Sequence, residues 1–206
     1  MYVPSFNAVP DEAEVRALVA AIDSAELVTV GADGFPVATL LPIIWEGDRV
    51  IAHLARANDH WHTIEPDSPA LIVCTGPDAY VSPSWYPSKQ EHGRAVPTWN
   101  YASVHLTGHV RVYDDPEWLR TAVTILTERH EGRRAEPWQV TDAPEAYVDA
   151  QLRGIVGLEM TVERVEAKRK LSQNRSEADR RGVVEGLRAE SATGHDAVAD
   201  AMERLL

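Results

Sequence analysis

The segment from His53 to Trp61 holds the side chains best suited to binding an anion. It leaves a predicted strand and enters a polar stretch that is helical or turn-like, and such a junction offers free backbone N–H groups. Arg56 adds a planar guanidinium that can hold two phosphate oxygens at once. Asn58 can cap the turn or donate to a phosphate or a ring carbonyl. The alternative is an ordinary surface arginine beside an N-cap.

A second group of anion-binding side chains lies near residue 170. The run Lys168–Arg175 is basic and rich in amides, and we expect it to follow the last strand. Ser172, Gln173 and Asn174 place neutral hydrogen-bonding groups beside the cations, a combination that suits an anion. The alternative is a solvated tail.

Aromatic residues lie on neighbouring predicted strands. Trp99 and Tyr101 begin the clearest strand of the sequence, and Trp85 and Tyr86 follow the strand before it. Such side chains can flank a planar ring such as isoalloxazine, or they can form part of the core or of a dimer interface.

Other kinds of chemistry find little support. His60 and His62 are spaced as a pair of metal ligands, but no Cys, Asp or Glu stands at a supporting spacing, so we expect no metal site. The sequence contains no G-x-S-x-G, H-E-x-x-H or G-x-x-x-x-G-K motif, which argues against hydrolase, zincin and P-loop readings. No acid–base pair suggests itself, so we assign no catalytic residue.

Composition indicates one soluble folded domain. The chain has 206 residues, of which 44% are hydrophobic, and a formal net charge of −12. Its single cysteine, Cys74, lies in an apolar run and excludes an intrachain disulfide. We expect a cytoplasmic protein, with neither a signal peptide nor a membrane span. The negative charge disfavours binding to DNA, although Arg164–Arg181 collects basic residues.

The predicted elements are mostly strands. We expect helices near residues 12–22, 116–130 and 143–152 and beyond 176, and strands near residues 27–30, 37–41, 49–54, 70–75, 79–82, 99–112 and 155–165. The first three strands are joined by tight turns and form a meander, which argues against a parallel nucleotide-binding sheet. The fold class is therefore mainly β with peripheral helices, as an antiparallel barrel that leaves no open sheet edge.

These segments together resemble the PaiB-like family of FMN-binding negative transcriptional regulators, nearly from end to end. The resemblance rests on Met1–Pro4, His53–Asn58 with Trp61, Gly76–Pro77 with Ala79–Tyr86, Val96–Tyr101 and Lys170–Arg175. The family is similar to the flavin-binding split barrels, which include pyridoxamine-phosphate oxidases and flavin reductases. It implies an antiparallel split barrel over residues 1–166, and a basic segment with a helical tail over 167–206 that packs on the barrel or on a dimer partner.

The resemblance also implies the cofactor and its site. FMN lies between the two subunits of a homodimer, with its phosphate near the second and third strands and the run after residue 169 contributed by the partner. The cofactor-binding residues that we expect are Thr39, Leu40, Pro42, His53, Arg56, Asn58, Trp61, Trp99, Lys170, Ser172 and Gln173. Unlike the oxidases, this chain has no Arg or Lys in Val37–Leu41, which leaves more of the phosphate charge to Arg56 and Lys170.

Three functions stay open on the sequence. The first is a flavin-dependent regulator or sensor, and the second is an oxidoreductase or flavin reductase that turns over FMN. The third is a repressor that binds DNA directly. The third is disfavoured because the helix over Glu12–Asp23 is followed by a strand and not by a recognition helix. We therefore expect direct DNA binding to be weak or absent and any link to transcription to be indirect.

Overall fold

The computed structural model describes all 206 residues and contains six strands and six α-helices. The strands are β1 (Ser24–Val30), β2 (Pro36–Glu46), β3 (Arg49–Ala55), β4 (Ser68–Val81), β5 (Thr98–Tyr113) and β6 (Ile155–Lys170). The helices are α1 (Glu12–Ile22), α2 (Pro87–His92), α3 (Pro116–Glu131), α4 (Glu145–Leu152), α5 (Glu177–Glu190) and α6 (His195–Glu203). Short 3-10 turns lie at Ser5–Asn7, Asp59–Thr63, Pro83–Trp85 and Val140–Asp142.

The strands close into a barrel in the order β1-β2-β3-β6-β5-β4. The predicted meander of β1, β2 and β3 is confirmed, with antiparallel pairing at both steps. Apolar side chains such as Leu27, Leu41 and Leu158 fill the interior and leave a space of only about 10 Å³. Because that space has room for no more than about one water molecule, the interior is a packed core and any organic ligand must bind outside it.

Pro42 lies inside β2 and not at a strand end. It is the last residue of β2 that pairs with β1, and the next residue, Ile43, is the first that pairs with β3. Proline has no N–H to give to a ladder, so a position where the strand changes partner tolerates it. The first part of β2, Pro36–Pro42, pairs with β1 and not with β3.

The chain consists of two compact units that interleave along the sequence. The barrel unit comprises Arg16–Cys74 and His105–Val165, and the helical unit comprises Met1–Val15, Thr75–Val104 and Glu166–Leu206. The strands β4, β5 and β6 contribute residues to both. The predicted division at residues 166 and 167 follows the linear sequence and stays a prediction.

In the barrel unit, α3 packs on the outer surface of the sheet. Asp115 caps the helix by accepting a hydrogen bond from the Trp118 N–H at 2.8 Å, and Pro116 follows it in the first turn, a position that tolerates the missing N–H. A Cβ atom on Gly157 would approach the Trp118 ring to 1.9 Å. The glycine in β6 therefore lets the helix lie directly on the strand.

In the helical unit, α5 and α6 pack on one face of the ends of β4, β5 and β6. Their core contains Ala79, Val81, Leu187, Val198 and Met202. A Cβ atom on Gly186 would lie 2.4 Å from the Trp85 ring, so the glycine, which weakens the isolated helix, permits this close packing.

Three predicted boundaries were wrong. The two strands predicted near residues 70–75 and 79–82 are one strand, because β4 continues through Gly76–Pro77. β1 pairs with β4 only over Leu71–Val73, so on that edge Pro77 removes no ladder bond to β1. The polar segment over residues 87–97, which was predicted to be a loop, contains α2. β6 extends to Lys170, so the basic run begins within the last strand.

The helices give no indication of a bilayer-spanning segment, since each is too short or too polar to cross a membrane.

Candidate functional site

His60 joins the turn after β3 to the barrel strands. The imidazole is only 3% exposed, and its Nε2 and Nδ1 atoms form hydrogen bonds with Thr29 Oγ1 at 2.9 Å and Thr39 Oγ1 at 2.8 Å. The Asn58 side chain accepts from the His60 N–H at 3.0 Å and donates to Thr39 Oγ1 at 3.4 Å. Thr39 and Asn58, both predicted as cofactor-binding residues, therefore meet, and His60 is the residue that brings them together.

His60 was predicted to have no role, apart from a disfavoured metal pair with His62. No group of three or more His, Cys, Asp or Glu side chains is arranged to hold a metal ion. Burial lowers the pKa of His60, which favours the neutral ring between the two threonines. Threonines at inward-facing positions of two predicted strands were the available signal, because inward hydroxyls require a partner.

Arg56 is held by four protein acceptors. Its guanidinium forms a two-point ion pair with Asp114, in which Nη1 lies 3.1 Å from Oδ2 and Nη2 contacts Oδ1. Its Nε donates to the Arg153 carbonyl at 2.9 Å and its Nη2 donates to the Ile155 carbonyl at 3.0 Å. The hydrogen bond to Asp114 raises the pKa of Arg56 and lowers the pKa of the carboxyl group. A phosphate contact by Arg56 stays a prediction, and the carboxylate already supplies the negative charge there.

The other predicted residues of the barrel unit have different surroundings. Leu40 is 64% exposed, and the neighbouring outward position, Pro42, is exposed as well. His53 lies opposite Gly157 in the ladder, on the face that Trp118 covers, and its buried Nδ1 has no hydrogen-bond partner. Burial lowers the pKa of His53.

Trp61 belongs to the same turn as Arg56. Its indole Nε1 donates to the Arg56 carbonyl at 2.9 Å, and its ring lies 3.6 Å from the His62 ring, centroid to centroid. The Trp61 side chain thus links the two ends of the turn between Arg56 and Trp61. Its contact with a cofactor stays a prediction.

In the helical unit, five side chains lie on one sheet face, on which Tyr80 and Trp99 are exposed. We term it the aromatic–lysine face: Tyr80, Trp99, Tyr101, Lys168 and Lys170. Trp99 is 48% exposed, and its ring meets the Tyr80 ring edge to face at a centroid distance of 6.2 Å. The Trp99 indole donates to Asp78 Oδ1 at 2.8 Å. The opposite side of this sheet carries the core below α5 and α6, so only this face is open to a ligand.

The two lysines of this face contact neutral groups. Lys170 donates to the Thr98 hydroxyl and to the Trp99 carbonyl. Lys168 is only 7% exposed; its ammonium donates to the Tyr2 carbonyl at 3.2 Å and lies 5.2 Å from the centre of the Tyr101 ring. Burial lowers the pKa of Lys170, and the charge of Lys168 lowers it further. The structure thus brings together Trp99 and Lys170, which were predicted to bind the cofactor, and Lys168, which belonged to the predicted anion-binding run but not to the predicted cofactor contacts.

Ser172 and Gln173 shape the chain where β6 ends. The Gln173 side chain accepts from the Leu171 N–H at 2.7 Å and donates to the Arg169 carbonyl at 2.6 Å. The Ser172 hydroxyl donates to Asn100 Oδ1 at 3.2 Å. Both side chains have protein partners, and their contact with a cofactor stays a prediction.

The other aromatic pair is part of the core. Tyr86 is fully buried among the side chains below α5, and Trp85 packs against Gly186. Of the two predicted aromatic groups, only the one around Trp99 is open to a planar ligand.

Comparison with known proteins defines the family. A family model described as "Putative FMN-binding domain" matches residues 1–164. The chain is 34% identical over 207 residues to the Bacillus subtilis protein called "Protease synthase and sporulation protein PAI 2", covering 98% of this chain and 97% of that one.

Solved structures show the same fold at low sequence identity. An FAD and heme binding protein from Mycobacterium smegmatis is 20% identical with a TM-score of 0.60, over 79% of this chain and 73% of that one. The protein Rv2991 from Mycobacterium tuberculosis is 17% identical with a TM-score of 0.59, over 82% and 90% of the two chains. These likenesses support the antiparallel split-barrel fold.

Proposed function

The chain belongs to the PaiB-like family of FMN-binding domains, and from this membership we propose that it binds FMN and acts as a homodimeric, flavin-dependent regulator or sensor. The family supports a flavin ligand and a regulator-like role. The choice of FMN among flavins, the dimer and the sensing role are our proposal.

One observation carries the proposal, namely the exposed aromatic–lysine face. Trp99 and Tyr80 offer ring surfaces to a planar heterocycle, and the half-buried Lys170 lies beside Trp99. Flavin mononucleotide combines a planar ring with a phosphate, so these residues fit both of its parts. No acidic side chain forms an ion pair with either lysine; Asp78 accepts from the Trp99 indole, and Glu166, two residues before Lys168 in β6, pairs with the Met1 amino group.

In this proposal, the predicted residues of β2, β3 and the following turn either shape the turn or are candidates for contact with the flavin. Leu40 and Pro42 are exposed and available to a flavin or to a partner subunit. Thr39 and Asn58 shape the turn through His60. We retain His53, Trp61, Ser172 and Gln173 as candidates that only a complex with bound flavin can test.

Bound flavin would supply hydride and one-electron chemistry at its ring. The protein side chains described above bind and orient, and none of them is placed as a proton donor to a substrate. A sensor that reports the presence or redox state of its flavin requires no more than this. Turnover with NAD(P)H is the outcome that would favour the alternative, a flavin reductase.

The remaining features agree with the proposal. The name of the B. subtilis relative refers to protease synthesis and sporulation, and we extend to this chain only a regulator-like role, exerted without strong direct binding to DNA.

Cys74 is fully buried, and its pKa is raised to about 12, mainly by burial, so it is an unreactive thiol. Such a thiol is compatible with the cytoplasmic location that we propose.

Absorbance and fluorescence titrations test the proposal. The purified protein, with and without added FMN, is expected to show the two absorption bands of oxidised flavin and saturable quenching of flavin fluorescence. Trp99→Ala is expected to weaken binding by roughly two- to tenfold, the value of an aromatic contact. Trp138→Ala is the matched control, because Trp138 lies in the barrel unit and is 47% exposed. No saturable binding of FMN by the parent protein would overturn the proposal.

A further inference from the structure

A groove of about 370 Å³ lies on the surface of the barrel unit, between α3 and residues 137–141. We term it the α3 groove. Pockets that bind small organic molecules have volumes of about 300–1,000 Å³, so this groove is large enough for a small one. Its lining includes Arg120, Thr127, Glu128, Glu131 and Trp138. None of these residues belongs to the flavin contacts proposed above.

The wall of the groove opposite α3 is held in place by the chain itself. The Glu131 carboxylate accepts a hydrogen bond from the Trp138 N–H at 3.2 Å and pairs with Arg134 at 3.0 Å. The Gln139 N–H donates to Asp142 Oδ2 at 2.8 Å as part of a capping box. A wall that is formed in advance lowers the ordering cost that a ligand must overcome on binding.

Trp138 is the exposed aromatic residue of this wall. Its side chain is 47% exposed and lines the groove. The face of an indole ring carries partial negative charge and attracts a cation that lies within about 6 Å of the ring centre. Because the hydrogen bond of its N–H to Glu131 fixes the backbone of Trp138, the ring is available to a cationic ligand in the groove.

The charged side chains that line the groove leave one negative charge without a partner. Arg120 pairs with Asp149, and Glu131 pairs with Arg134. Glu128 is exposed and forms no ion pair. A single carboxylate beside an aromatic ring suits an organic cation. A metal ion is disfavoured, because no group of three or more His, Cys, Asp or Glu side chains is arranged to hold one.

We infer that the α3 groove binds a small organic ammonium ion, with its charged group between the Trp138 ring and the Glu128 carboxylate. The half-buried Thr127 offers a hydroxyl to a polar group of the same ligand. The groove belongs to the barrel unit, whereas the aromatic–lysine face belongs to the helical unit. It is therefore a second ligand site, and it does not depend on whether the protein binds flavin.

Choline and 3,3-dimethylbutan-1-ol test this inference, since the two molecules have the same shape and only choline is charged. Their methyl resonances are followed by NMR while the purified protein is added, in chloride at constant ionic strength. The parent protein is expected to bind choline saturably. It is expected to bind the alcohol about threefold to thirtyfold more weakly, the combined value of a cation–aromatic contact and an exposed ion pair.

Substitutions separate the two parts of the site. Glu128→Gln is expected to weaken choline binding by about twofold to fivefold and to leave binding of the alcohol unchanged. Trp138→Ala is expected to weaken choline binding by about twofold to thirtyfold, and Trp138→Phe, which keeps a ring, is expected to weaken it less. Glu136→Gln and Tyr147→Ala are matched controls, because both side chains are exposed in the barrel unit and lie outside the groove. Unchanged melting temperatures show that the variants are folded.

Each outcome decides for or against the inference. A preference for choline that is lost in Glu128→Gln and kept in both controls supports it. Equal binding of choline and the alcohol, no saturable binding of choline, or a preference that Glu128→Gln keeps in full overturns it. A smaller mass of Trp138→Ala by light scattering also overturns it, because the groove would then be a contact between subunits. The flavin proposal fails separately, since Trp99→Ala is expected to weaken FMN binding and to leave choline binding unchanged.

Discussion

Arg56 and Asp114 form a two-point ion pair between the turn after β3 and the segment before α3. The same guanidinium donates to the carbonyls of Arg153 and Ile155, where β6 begins. One side chain thus connects three parts of the barrel unit that are far apart in sequence. This arrangement gives Arg56 a structural role whatever it contributes to ligand binding.

Substitution of this pair is expected to lower stability in a pH-dependent way. Asp114→Asn is expected to unfold at a lower urea concentration than the parent protein at pH 7. Because Arg56 lowers the pKa of Asp114 in the folded state, the stabilisation is present above the ordinary carboxyl pKa and is lost as the pH falls through the lowered value. The difference between the two proteins is therefore expected to shrink in acid.

Urea unfolding at a series of pH values measures this difference. Glu136→Gln, which removes an exposed carboxylate from the segment between α3 and α4, serves as a comparison for the loss of one negative charge. A difference between Asp114→Asn and the parent that grows on acidification would contradict the expected role of the pair.

The buried imidazole of His60 is expected to make stability fall on acidification. Burial lowers its pKa below the ordinary 6.5, so between these two values the unfolded chain binds a proton that the folded protein does not. The free energy of unfolding therefore decreases as the pH falls through 6.5. His60→Gln is expected to show a shallower decrease, measured by urea unfolding between pH 8 and pH 5.

Burial also lowers the pKa of His53. His53→Gln is therefore expected to remove a further part of the decrease in the free energy of unfolding on acidification. His130→Gln, an exposed substitution in α3, should follow the parent. At pH 8, His60→Leu is expected to cost about 1–3 kcal/mol, because the buried Thr29 hydroxyl loses its partner. An unchanged pH profile in His60→Gln would contradict the prediction, because it would show that the imidazole binds its proton equally in the folded and unfolded states.

The elements of the fold were largely predictable, and the contacts of the site were not. The alternation of apolar residues in β5 and the helical spacing of Trp118, Val123 and Leu126 in α3 are local signals, and both elements formed as predicted. Asp114 is 58 residues from Arg56, and Thr29 is 31 residues from His60. No local pattern fixes such partners, because the closure of the barrel determines which strand ends meet.

The extension of β6 to Lys170 was missed for a related reason. Charged residues have little intrinsic preference for strands, so the run from Lys168 was interpreted as lying outside the sheet. In the structure, Tyr101 and the Tyr2 carbonyl accommodate Lys168 within the strand. Tertiary contacts thus determined the local structure, and they placed Lys168 in the candidate site.

The β1–β2 hairpin is expected to be a dimer contact. Val30, Phe35 and Leu40 are all exposed there, with Phe35 at 70%, and stable dimers commonly bury about 2,000 Å² or more of such apolar surface. Light scattering at low micromolar concentration is expected to give the mass of two chains. Phe35→Asp is expected to shift that mass toward one chain, whereas Tyr147→Asp on the exposed side of α4 leaves it unchanged. A parent protein with the mass of a single chain would contradict the homodimer.

The basic segment Lys168–Arg181 is expected to bind DNA weakly and without sequence preference. Its positive charges are engaged within the helical unit: Arg169 pairs with Glu14, Arg181 pairs with Glu177, and the Arg175 guanidinium lies over the Tyr86 ring. Lys168 is buried, Arg180 donates to the Leu205 carbonyl, and the chain as a whole carries a net charge of −12.

Few charges therefore remain to neutralise DNA phosphates, and each neutralised phosphate contributes a slope of only about −0.9 in the logarithm of affinity against the logarithm of salt concentration. A gel shift at roughly 150 mM salt, with a candidate promoter and a random duplex of equal length, is expected to show weak and equal binding. Arg181→Gln is expected to change neither. Nanomolar binding to one promoter over the random duplex, by purified protein without a partner, would contradict this expectation and would make direct repression the leading function. Weak and equal binding would instead direct the search toward a protein partner or the flavin itself, because a regulator that neutralises few phosphates must act through another contact.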